Sequence, residues 1–103
     1  LKERRAALLE GLERCGRGRL RVEDSQAGMH LIAWLQDCDA AQGEAFIARA
    51  RSHGLGLYPI SPYYLSPPDR AGLLLGYCGL SVAQINDAMN AFGACLDEFW
   101  EER

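Results

Sequence analysis

The stretch that decides the fold is residues 29–35, which read Met29-His30-Leu31-Ile32-Ala33-Trp34-Leu35. A run this short and this apolar is typical of a strand covered on both faces, so it predicts a strand in the centre of a sheet. Residues 73–77, Leu-Leu-Leu-Gly-Tyr, have the same character and predict a second covered strand. The core of the domain should therefore be built around these two segments.

Two weaker strands are predicted beside them. Residues 19–23 alternate around Leu20 and Val22, as in a strand with one buried face. Residues 55–60 form the other, and they include Pro59. Because proline has no N–H to donate to a neighbouring strand, this segment should lie at a sheet edge.

Three helices are predicted around the strands. The first covers residues 1–15 and ends at two nearby glycines. The second and third begin at capping boxes, Asp39 with Gln42 and Ser81 with Gln84. One apolar face of the third helix carries Ile85, Met89, Phe92, Leu96 and Phe99.

The order of elements is then α-β-β-α-β-β-α. This order predicts an α+β domain with a small mixed or antiparallel sheet of about four strands and three helices packed on one face. Residues 1–103 should form a single domain. No capping residue precedes Leu1, so the first helix looks cut, and we expect this domain to be a fragment of a larger protein.

Composition excludes several classes of function. The net charge of -3 argues against a dedicated nucleic-acid surface, and no apolar run approaches the ~20 residues of a membrane span. The four cysteines form no C-x-x-C pair and lack histidines at metal-ligand spacing, which predicts packing roles and a reducing, cytoplasmic setting. They are Cys15, Cys38, Cys78 and Cys95.

Motifs for catalysis are also missing from the chain. There is no G-x-S-x-G, no phosphate-binding loop, no G-x-G-x-x-G and no H-E-x-x-H. His30 and His53 have no cysteine or serine nearby in a triad-like context. We therefore expect no catalytic, cofactor-binding or metal-binding residues in this chain.

The segment at residues 58–70 is the most unusual part of the sequence. It holds all four prolines and three of the four tyrosines, which makes it stiff for a loop. Tyr63 and Tyr64 are suited to lining a pocket, because a tyrosine ring offers apolar contact and a polar tip. The alternative is a loop whose tyrosines cover the sheet edge, and composition alone favours that alternative.

Four segments in order resemble the C-terminal small domain of the MocR-type regulators. These proteins join a GntR-like winged-helix DNA-binding domain to a domain of the class I aminotransferase fold, which binds pyridoxal 5′-phosphate. The Gly-Met-x-x-x-x-Trp pattern is similar to one in the aminotransferases themselves, whereas Ser-Pro-Tyr-Tyr and Leu-Leu-Leu-Gly-Tyr resemble the regulators. The segments are residues 27–35, 54–59, 61–64 and 72–77.

The resemblance implies that pyridoxal phosphate is bound in the intact parent and not by this fragment. It also implies a large cofactor-binding domain in the same parent chain as partner, DNA contact through the missing N-terminal domain, a homodimeric parent and no membrane. The enzymes' small domain usually supplies an arginine that holds the substrate carboxylate. The position of that arginine falls on Leu74 or Leu75 here, and Arg70 is a possible substitute. The resemblance therefore makes Tyr63, Tyr64 and Arg70 the candidates for lining the effector pocket.

Three hypotheses of function follow. In the first, this domain closes over the cofactor and effector site of a regulator and relays the ligand state to the DNA-binding domain. In the second, it is the small domain of a genuine pyridoxal-phosphate-dependent aminotransferase. In the third, it is a free-standing interaction domain, although the uncapped start of the first helix argues against this hypothesis.

Overall fold

The computed structural model describes residues 2–24, 30–52, 56–77 and 79–103. The predicted order of helices and strands is confirmed, with one additional 3-10 turn. Residues 25–28, whose Ser-Gln-Ala-Gly sequence predicts a hairpin connection, and Gly54, which the sequence predicts as the stop of the second helix, lie outside the described residues. The elements are α1 (Lys2–Gly16), β1 (Leu20–Asp24), β2 (His30–Leu35), α2 (Ala40–Ser52), β3 (Leu57–Pro59), the 3-10 turn (Ser61–Tyr63), β4 (Ala71–Gly76) and α3 (Val82–Glu102).

The four strands form one sheet in the order β1-β2-β4-β3, with antiparallel pairing throughout. The two most apolar strands, β2 and β4, are the central ones, as predicted. Ala33 lies opposite Leu73, and Leu31 lies opposite Leu75. Pro59 is at the end of the edge strand β3, where its missing N–H costs no ladder bond.

All three helices pack on one face of the sheet, which confirms the predicted α+β class. The core lies between them and the alternate residues Leu31, Ala33 and Leu35 of β2. Phe46 of α2 is fully buried, with its ring centroid 5.5 Å from that of Phe92 and 5.4 Å from that of Phe99, both on α3. The predicted apolar face of α3 is buried along its whole length: Ile85, Met89, Phe92, Leu96 and Phe99.

Both predicted capping boxes are present. The Ser81 side chain accepts a hydrogen bond from the Gln84 N–H, and the Gln84 side chain accepts one from the Ser81 N–H. Asp39 and Gln42 make the same reciprocal pair at the start of α2, at 2.8 and 2.9 Å. Two helix starts are therefore set by residues that are local in sequence.

Helices α1 and α3 run parallel and approach closely through glycines. A side chain on Gly11 would collide with Met89, and a Cβ on Gly93 would lie 3.0 Å from the Cβ of Cys15. Each helix thus contributes one glycine and one side chain to the contact, four residues apart. We call these two contacts the α1–α3 interlock.

The proline-rich connection is shorter than its composition predicts. The leucine pattern places the start of the fourth strand at residue 73, but β4 begins at Ala71, because the Ala71 N–H donates to the carbonyl of Cys38 and Gly43 of α2 packs directly on Ala71. Strand β3 covers only Leu57–Pro59. The proline-rich loop is therefore residues 60–70.

Candidate functional site

The proline-rich loop presents its tyrosines to solvent. The Tyr63 N–H donates to the Ile60 carbonyl at 2.9 Å, and the Tyr64 N–H donates to the Ser61 carbonyl at 3.2 Å, which closes a tight turn. Tyr63 is 70% exposed, Tyr64 is 40% exposed, and Leu65 beyond them is fully exposed. The turn therefore displays a short apolar and aromatic segment that the described chain does not cover.

Arg70 is held in place from both sides. Asp69 Oδ1 accepts a hydrogen bond from the Ala40 N–H at 3.0 Å, and the Ala71 N–H donates to the Cys38 carbonyl at 3.2 Å. Both bonds tie the end of the loop to the connection between β2 and α2. The backbone of Arg70 is consequently fixed, although its side chain is exposed.

The Arg70 guanidinium lies over the indole ring of Trp34, 4.2 Å from the ring centroid. Trp34 is 3% exposed and lies on the sheet face opposite the helices. Gly72, directly opposite it on β4, leaves room for the ring, since a Cβ there would be 2.8 Å from Trp34 Cζ3. We call Trp34 with Arg70 above it the Arg70–Trp34 stack.

Two donors in this stack lack acceptors. Trp34 Nε1 is buried and has no hydrogen-bond partner among the described residues. Arg70 makes no ion pair or hydrogen bond with any residue that the structure describes. A buried polar group without a partner is uncommon, so the stack marks a place where an acceptor would be favourable.

The three predicted site residues are only partly brought together. Tyr63, Tyr64 and Arg70 share one loop, but no hydrogen bond or ring contact joins them within the described chain. Trp34 was not among the predicted site residues. The signal was available, because alternation along β2 puts Trp34 on the face opposite Leu31, Ala33 and Leu35.

Leu74 and Leu75, which the resemblance aligns with the enzymes' arginine, lie on opposite faces of β4. Leu75 points into the helix-side core, whereas Leu74 lies on the opposite face, in a cross-strand row with Ile32 and Tyr58. Leu74 is 7% exposed and Tyr58 is 52% exposed. Leu74 is therefore a buried apolar side chain on the sheet face away from the helices, and neither leucine can pair with a carboxylate.

A cavity of about 520 Å³ lies at the end of the sheet where His30 pairs with Gly76, away from the Arg70–Trp34 stack. Its lining is mainly apolar and comes from β3, β4, α3 and Leu8 of α1, together with His30, Tyr77 and Gln84. Gln84 already accepts the capping bond from the Ser81 N–H. Tyr58 of the tyrosine-bearing segment lines this cavity, whereas Tyr63, Tyr64 and Arg70 do not, so it is separate from those three predicted residues.

Cys15, Cys95 and the ion pair between Arg19 and Asp97 have structural roles. Burial raises the pKa of the Cys15 and Cys95 thiols, which keeps both protonated and weakly nucleophilic. A hydrogen bond from the Arg19 guanidinium to Asp97, 2.8 Å long, lowers the pKa of that carboxyl. Among the residues described, no group of three or more histidine, cysteine or acidic side chains could hold a metal ion. Cys78 lies outside the described residues.

No helix of the described chain is long and apolar enough to cross a membrane. The single lysine, Lys2, is an exposed residue in the first turn of α1. It lies on no cavity wall described above.

The chain is similar in sequence to transcriptional regulators and similar in structure to an aminotransferase. No family model matches the chain. The chain is 31% identical over 84 residues to the uncharacterized HTH-type transcriptional regulator YhdI of Bacillus subtilis (strain 168), and 28% identical over 94 residues to the HTH-type regulator YdeL of the same strain. These matches cover 82% and 90% of this chain but 18% and 20% of the relatives, so the chain spans about a fifth of their length.

One structural neighbour is LysN, the α-aminoadipate aminotransferase of Thermus thermophilus, whose crystal structure contains N-(5′-phosphopyridoxyl)-L-leucine. The two superpose with a TM-score of 0.82 over 98% of this chain and 25% of the LysN chain, at 22% sequence identity. The fold is therefore that of a part of an aminotransferase. The relatives in sequence, by contrast, are transcriptional regulators.

Proposed function

We propose that this chain, a MocR-like C-terminal domain with transcriptional regulators as relatives and an aminotransferase-like fold, closes over an effector site and relays its state to a DNA-binding domain. The observation that carries the proposal is the combination of relatives and fold: HTH-type regulators in sequence, an aminotransferase in structure. The proposal applies to a protein of the relatives' full length. There the domain would move relative to its neighbours when the effector binds.

The position of Leu74 supports a regulator. An apolar side chain at a position that the resemblance aligns with the enzymes' carboxylate-binding arginine would weaken the grip on a substrate for transamination. Tyr63, Tyr64 and Arg70 are our candidates for contacting the effector instead. Their loop is stiffened by prolines and tied at its end to the β2–α2 connection, which suits a lid that moves with the domain.

This chain by itself does not fit pyridoxal phosphate. Its only lysine, Lys2, is exposed in the first turn of α1 and lines none of the cavities described above. We therefore assign no cofactor-binding residue to this chain. In the full-length protein the cofactor would be bound by a large domain, DNA by the HTH domain, and two copies would pair in the cytoplasm.

The alternative is that the domain belongs to a genuine aminotransferase, which the close superposition on LysN favours. The two functions differ in what the full-length protein does with an amino acid. An enzyme turns it over rapidly, whereas a regulator changes its affinity for DNA.

The experiment measures both properties on a full-length protein that carries this domain. With pyridoxal phosphate and a panel of amino compounds, DNA affinity is followed by fluorescence anisotropy and transamination by keto-acid release. We expect at least one amino compound to change DNA affinity more than fivefold, and Tyr64→Ala to abolish that change while leaving effector-free DNA binding intact. Ser66→Ala, on the same loop, serves as the control. Rapid turnover with unchanged DNA affinity would establish the enzyme instead.

A further inference from the structure

We propose that the outer edge of β1 pairs with the same edge of a second copy of this chain, so that the two sheets continue across a twofold axis at Val22. The inference goes beyond the proposed function and does not depend on it, because it involves neither the proline-rich loop nor an effector. It rests on the outward backbone groups of β1, the order of its charged side chains and the closure of the opposite edge of the sheet.

The backbone of β1 offers hydrogen bonds along its outer edge. The Gln36 N–H donates to the Arg19 carbonyl at 2.8 Å, just beyond the first register pair of β1 with β2. In an antiparallel pair, residues that bond to the neighbouring strand alternate with residues whose N–H and C=O point away from it. The backbone groups of Leu20, Val22 and Asp24 therefore point away from β2, and no strand of the described chain pairs with them.

The opposite edge of the sheet, β3, is closed to such pairing. Pro59 has no N–H to donate, and the Leu57 carbonyl accepts a hydrogen bond from the Arg51 guanidinium at 3.3 Å. Strand β1 contains no proline, and its register with β2 runs without a bulge from residue 20 to residue 24. The described sheet thus has its open edge at β1, and pairing of two copies through that edge ends at a dimer.

The charges on β1 select one register. Outward-pointing residues must face each other in the pair, so in a nearly complete overlap the twofold axis lies at residue 21, 22 or 23. An axis at Arg21 or at Glu23 places like charges directly opposite each other, which is unfavourable. An axis at Val22 instead places each Arg21 opposite Glu23 of the second copy, and opposite charges in this position stabilise a strand pair.

The side chains at this edge are accessible to a second copy. Arg21 and Glu23 lie on the sheet face away from the helices, are 64% and 43% exposed, and contact each other only at 3.7 Å. Val22 lies on the helix side and is 36% exposed, so the helices leave it room. The pairing would cover Val22 with its copy and replace a long contact within each strand by ion pairs between the strands.

The test is the oligomeric state of this chain, measured by sedimentation equilibrium. A single pair of short strands is smaller than a stable interface of ~1,200–2,000 Å², so we expect a weak dimer whose population rises between ~10 μM and ~1 mM chain. Hydrogen exchange of the Val22 amide, followed by NMR, should slow as the concentration rises. The Arg21 amide is the internal control, because it points to β2 with or without the second copy.

Charge variants test the register. Arg21→Glu and Glu23→Arg each place like charges opposite each other, and each should lower the dimer affinity at least about tenfold. An equimolar mixture of the two variants should recover association, because an acidic edge then faces a basic one. Lys2→Glu makes the same change in charge as Arg21→Glu at an exposed position of α1, and it should leave the dimer unchanged.

Three results would overturn the proposal. They are a chain that stays monomeric over the whole concentration range, a mixture of the two variants that associates no better than each variant alone, and a dimer in which exchange of the Val22 amide does not slow. A monomeric chain would leave the relay function to be judged by DNA affinity, since that function does not use the edge of β1.

Discussion

At the scale of single residues, Gly43 is the described glycine whose nearest neighbour across the fold is a backbone atom, where α2 meets β4. A Cβ at this position would lie 2.8 Å from the Cα of Ala71, a backbone atom that cannot move without shifting the central strand. Crowding of this kind costs about 1–3 kcal/mol, and alanine returns about 1 kcal/mol through its better helix propensity.

We therefore predict that Gly43→Ala lowers the free energy of unfolding by up to about 2 kcal/mol. Chemical denaturation followed by far-UV circular dichroism measures it. The control is Gly56→Ala, because a Cβ on Gly56 would meet no atom within 4 Å. Equal stability of the two variants would show that α2 can move away from β4 at little cost.

Local and distant contacts differ in how well the sequence predicts them. The caps at Asp39 and Ser81 were predicted correctly, since both partners of each cap are three residues apart. The Arg70–Trp34 stack joins residues 36 positions apart, and only the register of β2 and β4 brings them together. Composition therefore singled out the loop but not the tryptophan beneath it.

At the scale of elements, the start of α3 depends on the Ser81 side chain. Ser81→Ala removes the acceptor for the Gln84 N–H and half of the capping box. We expect a loss of about 1 kcal/mol in the free energy of unfolding, the usual cost of losing a cap.

Ser66→Ala provides the matched control for that measurement, since Ser66 makes no hydrogen bond within the described residues. Its unfolding midpoint should stay within error of the unchanged chain. A Ser81→Ala variant as stable as Ser66→Ala would mean that water replaces the cap without loss.

Strand boundaries were predicted less well than strand order. The sequence placed the start of the fourth strand at Leu73, because the three leucines dominate the apolar pattern. Ala71 and Gly72 extend the strand because of contacts that the apolar pattern does not show. Ala71 packs against Gly43, and Gly72 leaves room for the Trp34 ring. Small residues are selected by close contacts across the fold, which hydrophobic periodicity does not report.

At the scale of the whole molecule, the three phenylalanines link α2 to α3. Phe46→Ala would leave a cavity between the rings of Phe92 and Phe99 and cost about 3–5 kcal/mol. This is a large part of the about 5–15 kcal/mol that stabilises a typical domain. We expect Phe46→Ala to unfold at much lower denaturant, and Phe46→Leu to lose clearly less.

The ion pair between Arg19 and Asp97 joins the start of the sheet to α3 and predicts sensitivity to acid. The pKa of Asp97 is lower in the folded chain than in the unfolded chain, so the unfolded chain binds the proton more readily. The stabilisation is therefore complete above the unfolded-state pKa and is lost as the pH falls through the lowered one. Asp97→Asn should flatten the fall in stability between pH 5 and pH 2, roughly the range of an ion-paired aspartate.

Asp87→Asn, on the same helix but in no ion pair of the described chain, should leave the acid limb of the stability curve unchanged. Denaturation midpoints at several pH values measure both variants. Parallel curves for Asp97→Asn and the unchanged chain would show that solvent already screens the pair.

The α1–α3 interlock gives the molecule a mechanical property. Sliding one helix along the other by less than a full turn, about 5.4 Å, would drive Met89 or Cys15 into the backbone of the opposite helix. Axial slip is therefore blocked in small steps, although the two helices can still tilt or rotate together. A force applied to α1 would therefore move α1, α3 and the sheet together as one rigid unit, because the two helices can slide little against each other.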